Sequence, residues 1–268
     1  MSALRPILLA CLIALMPAPA VGGAWTRAEG DGVLISTIGR QGNPTTFFTL
    51  PGGSEDKASA QLYVEYGLFE DITVGGSLFT ETGLGQEDVT GSASAGLFLR
   101  KRVYRDDEGN VASVQIGVAA PIDRLFGSTF ANSTSDNPAE VRIFALGGTS
   151  WWGDWGSIFI STAAGFAWRG EGEADEARAE LVTGYKKHPC CLPILSFYAT
   201  HSFGPGEASL KIAPSFAYSP PPSEEEIALA AEEEREPQRK TTYQLGLSYD
   251  MLDGDGSLGV TFSIWRKF

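Results

Sequence analysis

Residues 58–68, ASAQLYVEYGL, carry the pattern that decides the fold. Apolar and polar side chains alternate with a period of two, which is the period of a β-strand with one apolar face. The apolar face consists of Ala58, Ala60, Leu62, Val64, Tyr66 and Leu68. The opposite face consists of Ser59, Gln61, Tyr63, Glu65 and Gly67. We therefore predict a strand whose two faces meet different surroundings.

The same alternation recurs along the whole chain. After a break at residues 69–71 it restarts at Ile72, and later runs begin near residues 93, 112, 141, 158, 179, 195, 210, 243 and 260. A first strand near residues 32–40 brings the number to twelve, and bacterial single-chain barrels have an even number of strands. The sequence predicts an all-β fold, a closed antiparallel transmembrane β-barrel of about 12 strands, with the number held to within two.

Segment length separates a barrel in lipid from a soluble β-sandwich, which would show the same alternation. The alternating runs are about ten residues long, which suits tilted strands that cross a hydrocarbon layer. Beyond the N-terminal region, no run reaches the roughly 18 to 20 apolar residues of a transmembrane helix. A secreted β-sandwich binding protein remains as an alternative.

The tryptophans favour the membrane alternative, because aromatic side chains concentrate at the two interfaces of a membrane barrel. If the first strand runs outward, five of the tryptophans fall at the inner rim and one at the outer rim. We predict these membrane-interface aromatics: Trp25, Trp151, Trp152, Trp155 and Trp265 at the inner rim, and Trp168 at the outer rim.

The N-terminus has the features of a secretory signal peptide. Arg5 supplies a positive charge, residues 7–16 are a short apolar run, and residues 18–20, Ala-Pro-Ala, suit a signal peptidase. We predict a signal peptide at 1–20 and a barrel at 21–268. Cleavage just before Ala24 or Trp25 is an alternative, and Cys11, in a weak lipoprotein-like box, would leave with the peptide.

Charge and cysteine content exclude some functions. The formal net charge is −13, and removal of residues 1–20 makes it one unit more negative. An acidic chain disfavours nucleic acid as a partner. Adjacent Cys190 and Cys191 lie in a Pro-flanked stretch, and we expect two unpaired turn thiols rather than a strained vicinal disulfide.

Loop lengths agree with a first strand that runs outward, except at one place. The predicted outer loops at residues 41–57 and 121–137 are long, whereas the inner turns at residues 69–71 and 105–110 are short. The acidic insertion at residues 220–238 is long yet falls on the inner, periplasmic side. Ser223 and Glu226 form a capping box, which predicts a short exposed helix; a disordered acidic linker is the alternative.

The C-terminus resembles the insertion signal that the barrel-assembly machinery recognises. A terminal aromatic residue follows alternating apolar positions, and the matching residues are Val260, Phe262, Ile264 and Phe268. Arg266 departs from the pattern, since the third residue from the end is usually aromatic or apolar. An arginine at the rim can extend its charged head into water.

A family resemblance covers most of the mature chain. Residues 23–32 (GAWTRAEGDG), residues 63–68 (YVEYGL) and residues 168–183 resemble proteobacterial outer-membrane β-barrel proteins, loosely the phenol meta-pathway outer-membrane transporter-like family. The resemblance implies location in the cell outer membrane and passage of small hydrophobic molecules. Its motifs are structural, and no ligand-binding residue is carried over from it.

The sequence predicts no catalytic, cofactor-binding or metal-binding residue. Thr200-His201-Ser202 has the His and Ser of lipid-cleaving barrels, but neighbours on a strand point to opposite faces and cannot share a proton. Residues 253–256, Asp-Gly-Asp-Gly, lack the further carboxylates of a calcium loop and suit a hairpin turn. The chain is therefore not predicted to be an enzyme.

The polar faces of the strands predict a charged lumen. The predicted lumen-lining residues are Gln61, Glu65, Arg100, Gln115, Glu140, Arg142, Arg178, Glu180, Lys186, Lys211 and Gln244. Inward-facing Phe79, Phe98, Phe144 and Phe159 would narrow the lumen. We expect a passive channel for small molecules, with outer-membrane lipid, the barrel-assembly machinery and a solute as partners. A closed structural or adhesion barrel that acts through its loops is the alternative.

Overall fold

The structure is a computed structural model, and it describes residues 23–44, 47, 56–84, 91–122, 139–170, 172–204, 208–224, 227, 240–252 and 256–268. The predicted signal peptide, Cys11, Glu226 and residues 253–255 lie outside this part of the chain. The described residues contain no helix that is both long and apolar enough to cross a membrane.

The chain forms a closed antiparallel barrel of twelve strands. The strands are β1 (Gly32–Gly42), β2 (Lys57–Phe69), β3 (Ile72–Gly83), β4 (Gly91–Arg105), β5 (Val111–Pro121), β6 (Glu140–Gly153), β7 (Gly156–Arg169), β8 (Glu176–Lys186), β9 (Cys191–Ser202), β10 (Ala208–Tyr218), β11 (Thr241–Asp250) and β12 (Ser257–Lys267). Each strand pairs with its neighbours in sequence, and β1 pairs with β12. The predicted fold class is confirmed.

The closing seam between the first and last strands is continuous. Its register runs from Val33 opposite Lys267 to Gly42 opposite Leu258. At its end, the Gly32 N–H donates to the Phe268 carbonyl at 2.7 Å, and the Phe268 N–H donates to the Gly32 carbonyl at 3.1 Å. The terminal phenylalanine therefore completes the barrel, which leaves no open sheet edge.

Burial alternates along the strands as the sequence predicts, with the apolar face outward. On β2, Leu62 is 41% exposed, whereas neighbouring Tyr63 is 4% exposed and Glu65 is fully buried. Leu97, Ile116 and the other apolar residues of the outward face are likewise exposed. A soluble sandwich would bury this face, so the closed barrel excludes the β-sandwich alternative.

The two ends of the barrel differ in their connections. We call the end where β1 begins the proximal end and the other the distal end. Proximal turns include the two-residue connection between β6 and β7 and the turn at residues 106–110. In that turn the Asp106 carboxylate accepts hydrogen bonds from the Asn110 side chain and from the backbone N–H groups of Glu108 and Asn110. These hydrogen bonds lower the pKa of the Asp106 carboxyl, and the bond from the Asn110 side chain has the largest effect.

The acidic insertion leaves the barrel at the proximal end, between β10 and β11. It begins with three prolines at residues 220–222. After them, the Ile227 N–H donates to the Ser223 carbonyl at 2.9 Å. This is the hydrogen bond of one helical turn. Most of residues 225–239 lies outside the described residues, so the predicted helix stays a prediction.

Candidate solute pathway inside the barrel

An N-terminal segment, residues 23–31, lies inside the proximal half of the lumen; we call it the lumenal belt. The Ala24 N–H donates to Ser161 Oγ on β7 at 3.3 Å, and Ser113 Oγ on β5 donates to the Ala24 carbonyl. Further along, the Arg27 N–H donates to Thr73 Oγ1 on β3 at 2.8 Å. The belt thus follows the wall from β7 to β1, which is half of the barrel circumference.

Two glycines let the lumenal belt lie close against the wall. A Cβ at Gly67 of β2 would overlap the Ala28 carbonyl oxygen, which is a backbone atom and cannot simply rotate away. A Cβ at Gly148 of β6 would lie 2.8 Å from the Trp25 ring. The backbone of Gly67 also bonds the belt twice, to Gly30 and to Asp31. Glycine in a strand often marks such a close approach of another backbone.

A buried ion-pair cluster anchors the belt to β2 and β4. Glu65 contacts Arg100 at 3.0 Å and Arg27 at 2.6 Å, and it accepts a hydrogen bond from the Tyr63 hydroxyl at 2.6 Å. Arg100 is fully buried and also donates to Gln115 Oε1 at 3.0 and 2.9 Å. Glu65 and Arg100 fill the lumen beside β2 to β5, whereas Arg27 also faces the cavity described below.

A second charged cluster fills the distal part of the lumen beside β6 to β8. Arg178 contacts Glu140 at 2.8 Å and Glu176 at 2.6 Å. Arg142 pairs with Glu140, and Arg169 contacts Glu176 at 2.7 Å. Three arginines therefore share two carboxylates that are each less than one tenth exposed. Such mutual pairing is what buried charges require.

A cavity of about 610 Å³ occupies the rest of the lumen. Its lining comes from the belt, from β1 to β3 and from β6 to β12, whereas no described residue of β4 or β5 contributes. It extends from the proximal rim at Trp152, Ser157 and Trp265 to the distal level of Gln41 and Lys57. The cavity therefore runs along most of the barrel, beside the filled half.

The cavity has two kinds of surface. Hydroxyl and amide groups on β9 to β12 and β1 form one side, among them Thr37, Ser196, Ser215, Gln244, Thr261 and Ser263. Aromatic rings from the belt and from β2, β3 and β7 form the other, namely Trp25, Tyr63, Phe79 and Phe159. Trp25 contacts Phe159 edge to face, with ring centroids 6.4 Å apart.

Several charged side chains along the cavity lie beside groups of opposite charge. Lys57 Nζ lies 3.0 Å from Glu81, and Arg40 contacts Asp56 at 2.7 Å. Lys211 lies directly opposite Asp250 across β10 and β11. An ion that enters beside Lys57 and Arg40 would therefore meet charges that are already paired.

The predicted lumen residues all lie on the inward-facing positions of their strands, but they divide into two groups. Glu65, Arg100, Gln115, Glu140, Arg142 and Arg178 belong to the two packed clusters. Gln61, Glu180, Lys211 and Gln244 line the cavity. Lys186 lies exposed at the proximal rim.

Sequence reasoning missed several inward residues. Tyr63 and Glu176 share the alternation of residues that were selected, so the period-two pattern could have found them. Arg27 and the rest of the belt precede the first strand, where no alternation exists. Of the four phenylalanines expected to narrow the lumen, Phe79 and Phe159 line the cavity, while Phe144 is buried. Phe98 stacks on Tyr63, with centroids 5.8 Å apart.

The prediction for the tryptophans is wrong at two positions. Trp25 and Trp265 line the interior cavity instead of facing lipid, whereas Trp152 borders the cavity at the proximal rim and is 69% exposed. The prediction used only distance from the strand ends and ignored alternation: Trp265 shares the inward face of Ser263, whose hydroxyl lies 2.8 Å from Thr37 Oγ1 on β1. Trp151, Trp155 and Trp168 lie exposed, the first two at the proximal end and the third near the distal end.

The remaining candidate groups form no reactive site. His201 contacts Phe203 on the outward face, whereas Ser202 is the next residue of β9 and points the other way. Cys190 and Cys191 form no disulfide, and their Sγ atoms lie 2.7 Å apart. Across the described part of the chain, no group of three or more His, Cys, Asp or Glu side chains could hold a metal ion.

The barrel is similar in fold to several solved outer-membrane proteins. The COG4313 outer membrane channel from Pseudomonas putida F1 matches with a TM-score of 0.58 and 11% identity, over 94% of this chain and 100% of that one. The KdgM porin matches with a TM-score of 0.54 and 5% identity, over 88% and 99%. The translocator domain of the autotransporter NalP from Neisseria meningitidis matches with a TM-score of 0.50 and 12% identity, over 90% of each chain.

Sequence comparisons add no family. No model of a known protein family matches the chain, and no curated protein matches it. The resemblance to the phenol meta-pathway transporter-like family therefore has no support from sequence comparison. The chain is a closed barrel of twelve strands, and its fold is similar to that of the COG4313 channel and the KdgM porin.

Proposed function

We propose that this protein is a passive outer-membrane channel for small molecules. The observation that carries the proposal is the cavity of about 610 Å³, which runs along the barrel beside the packed clusters. Side chains that filled the whole lumen, as an eight-stranded barrel can do, would leave no such space. Proteins of similar fold include a channel and a porin, which supports transport rather than catalysis.

The surface of the barrel supports location in the outer membrane. Its outward face is apolar, and exposed aromatic residues at the proximal end, including Tyr66, Tyr104, Trp151 and Tyr243, match an interfacial girdle. We propose that the proximal end faces the periplasm, because the short turns between β2 and β3, β4 and β5, and β6 and β7 lie there. Barrel-assembly machinery that recognises the C-terminal signal would insert the chain.

Export through a signal peptide cleaved after Ala20 also belongs to the proposal. Ala24 is fully buried and bonded to Ser113 and Ser161, so cleavage before Trp25 would remove an anchor of the lumenal belt. N-terminal sequencing of the mature protein tests this point. A mature chain that starts at Trp25 would contradict it.

The test of the channel is single-channel conductance of the refolded, mature protein in a planar bilayer, together with solute flux into liposomes. We expect steady openings and flux of small solutes. A correctly folded barrel that gives neither would contradict the proposal. That result would favour the closed structural barrel, for which the packing of half the lumen is the supporting observation.

A further inference from the structure

One side of the cavity carries several hydrogen-bonding groups. Thr37 Oγ1 and Ser263 Oγ lie 2.8 Å apart across β1 and β12, and Gln244 Nε2 donates to Ser215 Oγ at 2.7 Å across β11 and β10. A hydroxyl has one donor and two acceptor positions, so each of these groups has further capacity to bond a solute. The array consists of uncharged groups.

The side opposite this array is aromatic. Phe159 lies on β7, which is six positions from β1 around the twelve-stranded barrel, so it lies across the lumen from Thr37. Trp25 of the lumenal belt packs edge to face against Phe159, and both rings line the cavity. A solute between the two sides would touch hydroxyl and amide groups with one edge and aromatic carbon with another.

Several of the charges near the cavity are already paired. The Lys57 ammonium lies 3.0 Å from Glu81, and the Arg27 guanidinium lies 2.6 Å from Glu65. A charged solute would have to lose water and compete with these existing partners, which is costly in a confined site. An uncharged solute avoids this cost.

We infer that the preferred solute is a small, uncharged, polyhydroxylated molecule with an apolar ring face, the chemistry of a neutral monosaccharide or disaccharide. The inference rests on the proposed function and narrows its substrate class. The cavity volume of about 610 Å³ lies within the range of roughly 300–1,000 Å³ that small-molecule sites occupy. The aromatic side would pack against the C–H face of the sugar ring, and the polar side would bond its hydroxyls.

Block of the ion current by added solutes tests this inference. Glucose, glucuronate, glucosamine and cyclohexanol, which have six-membered rings, are added in turn to the refolded protein in a planar bilayer. We expect glucose to block the current at lower concentrations than the other three. Equal or stronger block by glucuronate, glucosamine or cyclohexanol would overturn the inference while leaving the channel intact.

A matched pair of variants identifies the binding surface. Thr37→Val removes a cavity hydroxyl at nearly constant volume, whereas Thr80→Val makes the same change on an outward position of β3. Loss of one neutral hydrogen bond corresponds to about two- to tenfold weaker block by glucose. We expect this loss in Thr37→Val and not in Thr80→Val, and equal behaviour of the two variants would contradict the proposed site.

A readout without current separates the inference from the channel. Trp25 and Trp265 line the cavity, so bound glucose should change the tryptophan fluorescence of the refolded protein in detergent micelles, and cyclohexanol should do so less. A silent bilayer with this fluorescence response would contradict the channel but keep the sugar site. A fluorescence response to cyclohexanol that matches or exceeds that to glucose would overturn the sugar site.

Discussion

Arg100 and Glu65 contact each other at 3.0 Å inside the barrel, and neither side chain has any solvent exposure. Arg100 also donates hydrogen bonds to the Gln115 side chain and to the Trp25 carbonyl. Glu65 also accepts hydrogen bonds from Arg27 and from the Tyr63 hydroxyl. The pair therefore joins two strands of the wall to the lumenal belt. Together with Gln115, it fills the lumen beside β4 and β5, the two strands that do not line the cavity.

Loss of Arg100 should strongly destabilise the barrel. Arg100→Met leaves Glu65 with Arg27 as its remaining cationic partner, and breaking a buried ion pair typically costs about 3–5 kcal/mol. We expect a decrease of this size in the free energy of unfolding, measured by urea titration in liposomes. Arg102→Met is the control, because Arg102 pairs with the half-exposed Asp71 at the rim, where a pair contributes about 0–1 kcal/mol. Equal losses in both variants would contradict the assigned role of Arg100.

The substitution Gly67→Ala should release the lumenal belt. The added Cβ collides with the Ala28 carbonyl, and the belt, which is bonded to Gly67 through Gly30 and Asp31, has to move. We expect trypsin to cleave after Arg27 several times faster, as followed by mass spectrometry. The control is Gly96→Ala on β4, where the nearest atom to a Cβ is a serine hydroxyl at 3.1 Å and the belt is absent. Unchanged cleavage in Gly67→Ala would show that the belt does not lie against β2.

Quenching by brominated lipid should divide the tryptophans by the face on which they lie. Variants that retain one tryptophan each, refolded into brominated phospholipid, should lose fluorescence when they retain Trp151, Trp155 or Trp168. Those that retain Trp25 or Trp265 should keep their fluorescence, because these side chains lie inside the barrel. Strong lipid quenching of Trp25 would place residues 23–31 outside the lumen.

A charge introduced on the outward face should destabilise the barrel more than one introduced inside it. Leu97 lies near the middle of β4 and is 69% exposed, so Leu97→Lys places an ammonium in the hydrocarbon layer. This costs about 2–4 kcal/mol near the membrane midplane. Ser59→Lys, which faces the cavity, should change conductance and ion selectivity with a smaller effect on stability. Similar destabilisation by both changes would argue against lipid around the outward face.

The sequence by itself determined the strand number, the antiparallel closed fold and the face on which each strand residue lies. A period of two leaves only one choice of faces, so Leu62 and Glu65 had to lie on opposite sides of the wall. The same rule places Trp265 inside with Ser263, although the sequence prediction did not apply it there.

Only the tertiary structure decided what the inward faces do. Alternation does not distinguish Glu65, which is buried in an ion-pair cluster, from Lys211, which lines the cavity. The surroundings of an inward side chain depend on which strands lie across the lumen from it. The course of residues 23–31 was equally undetermined, since a segment before the first strand has no period and its place depends on the glycines it meets. Pairing between distant strands therefore left a cavity in a lumen that the sequence had predicted to be lined by charge pairs and narrowed by phenylalanines.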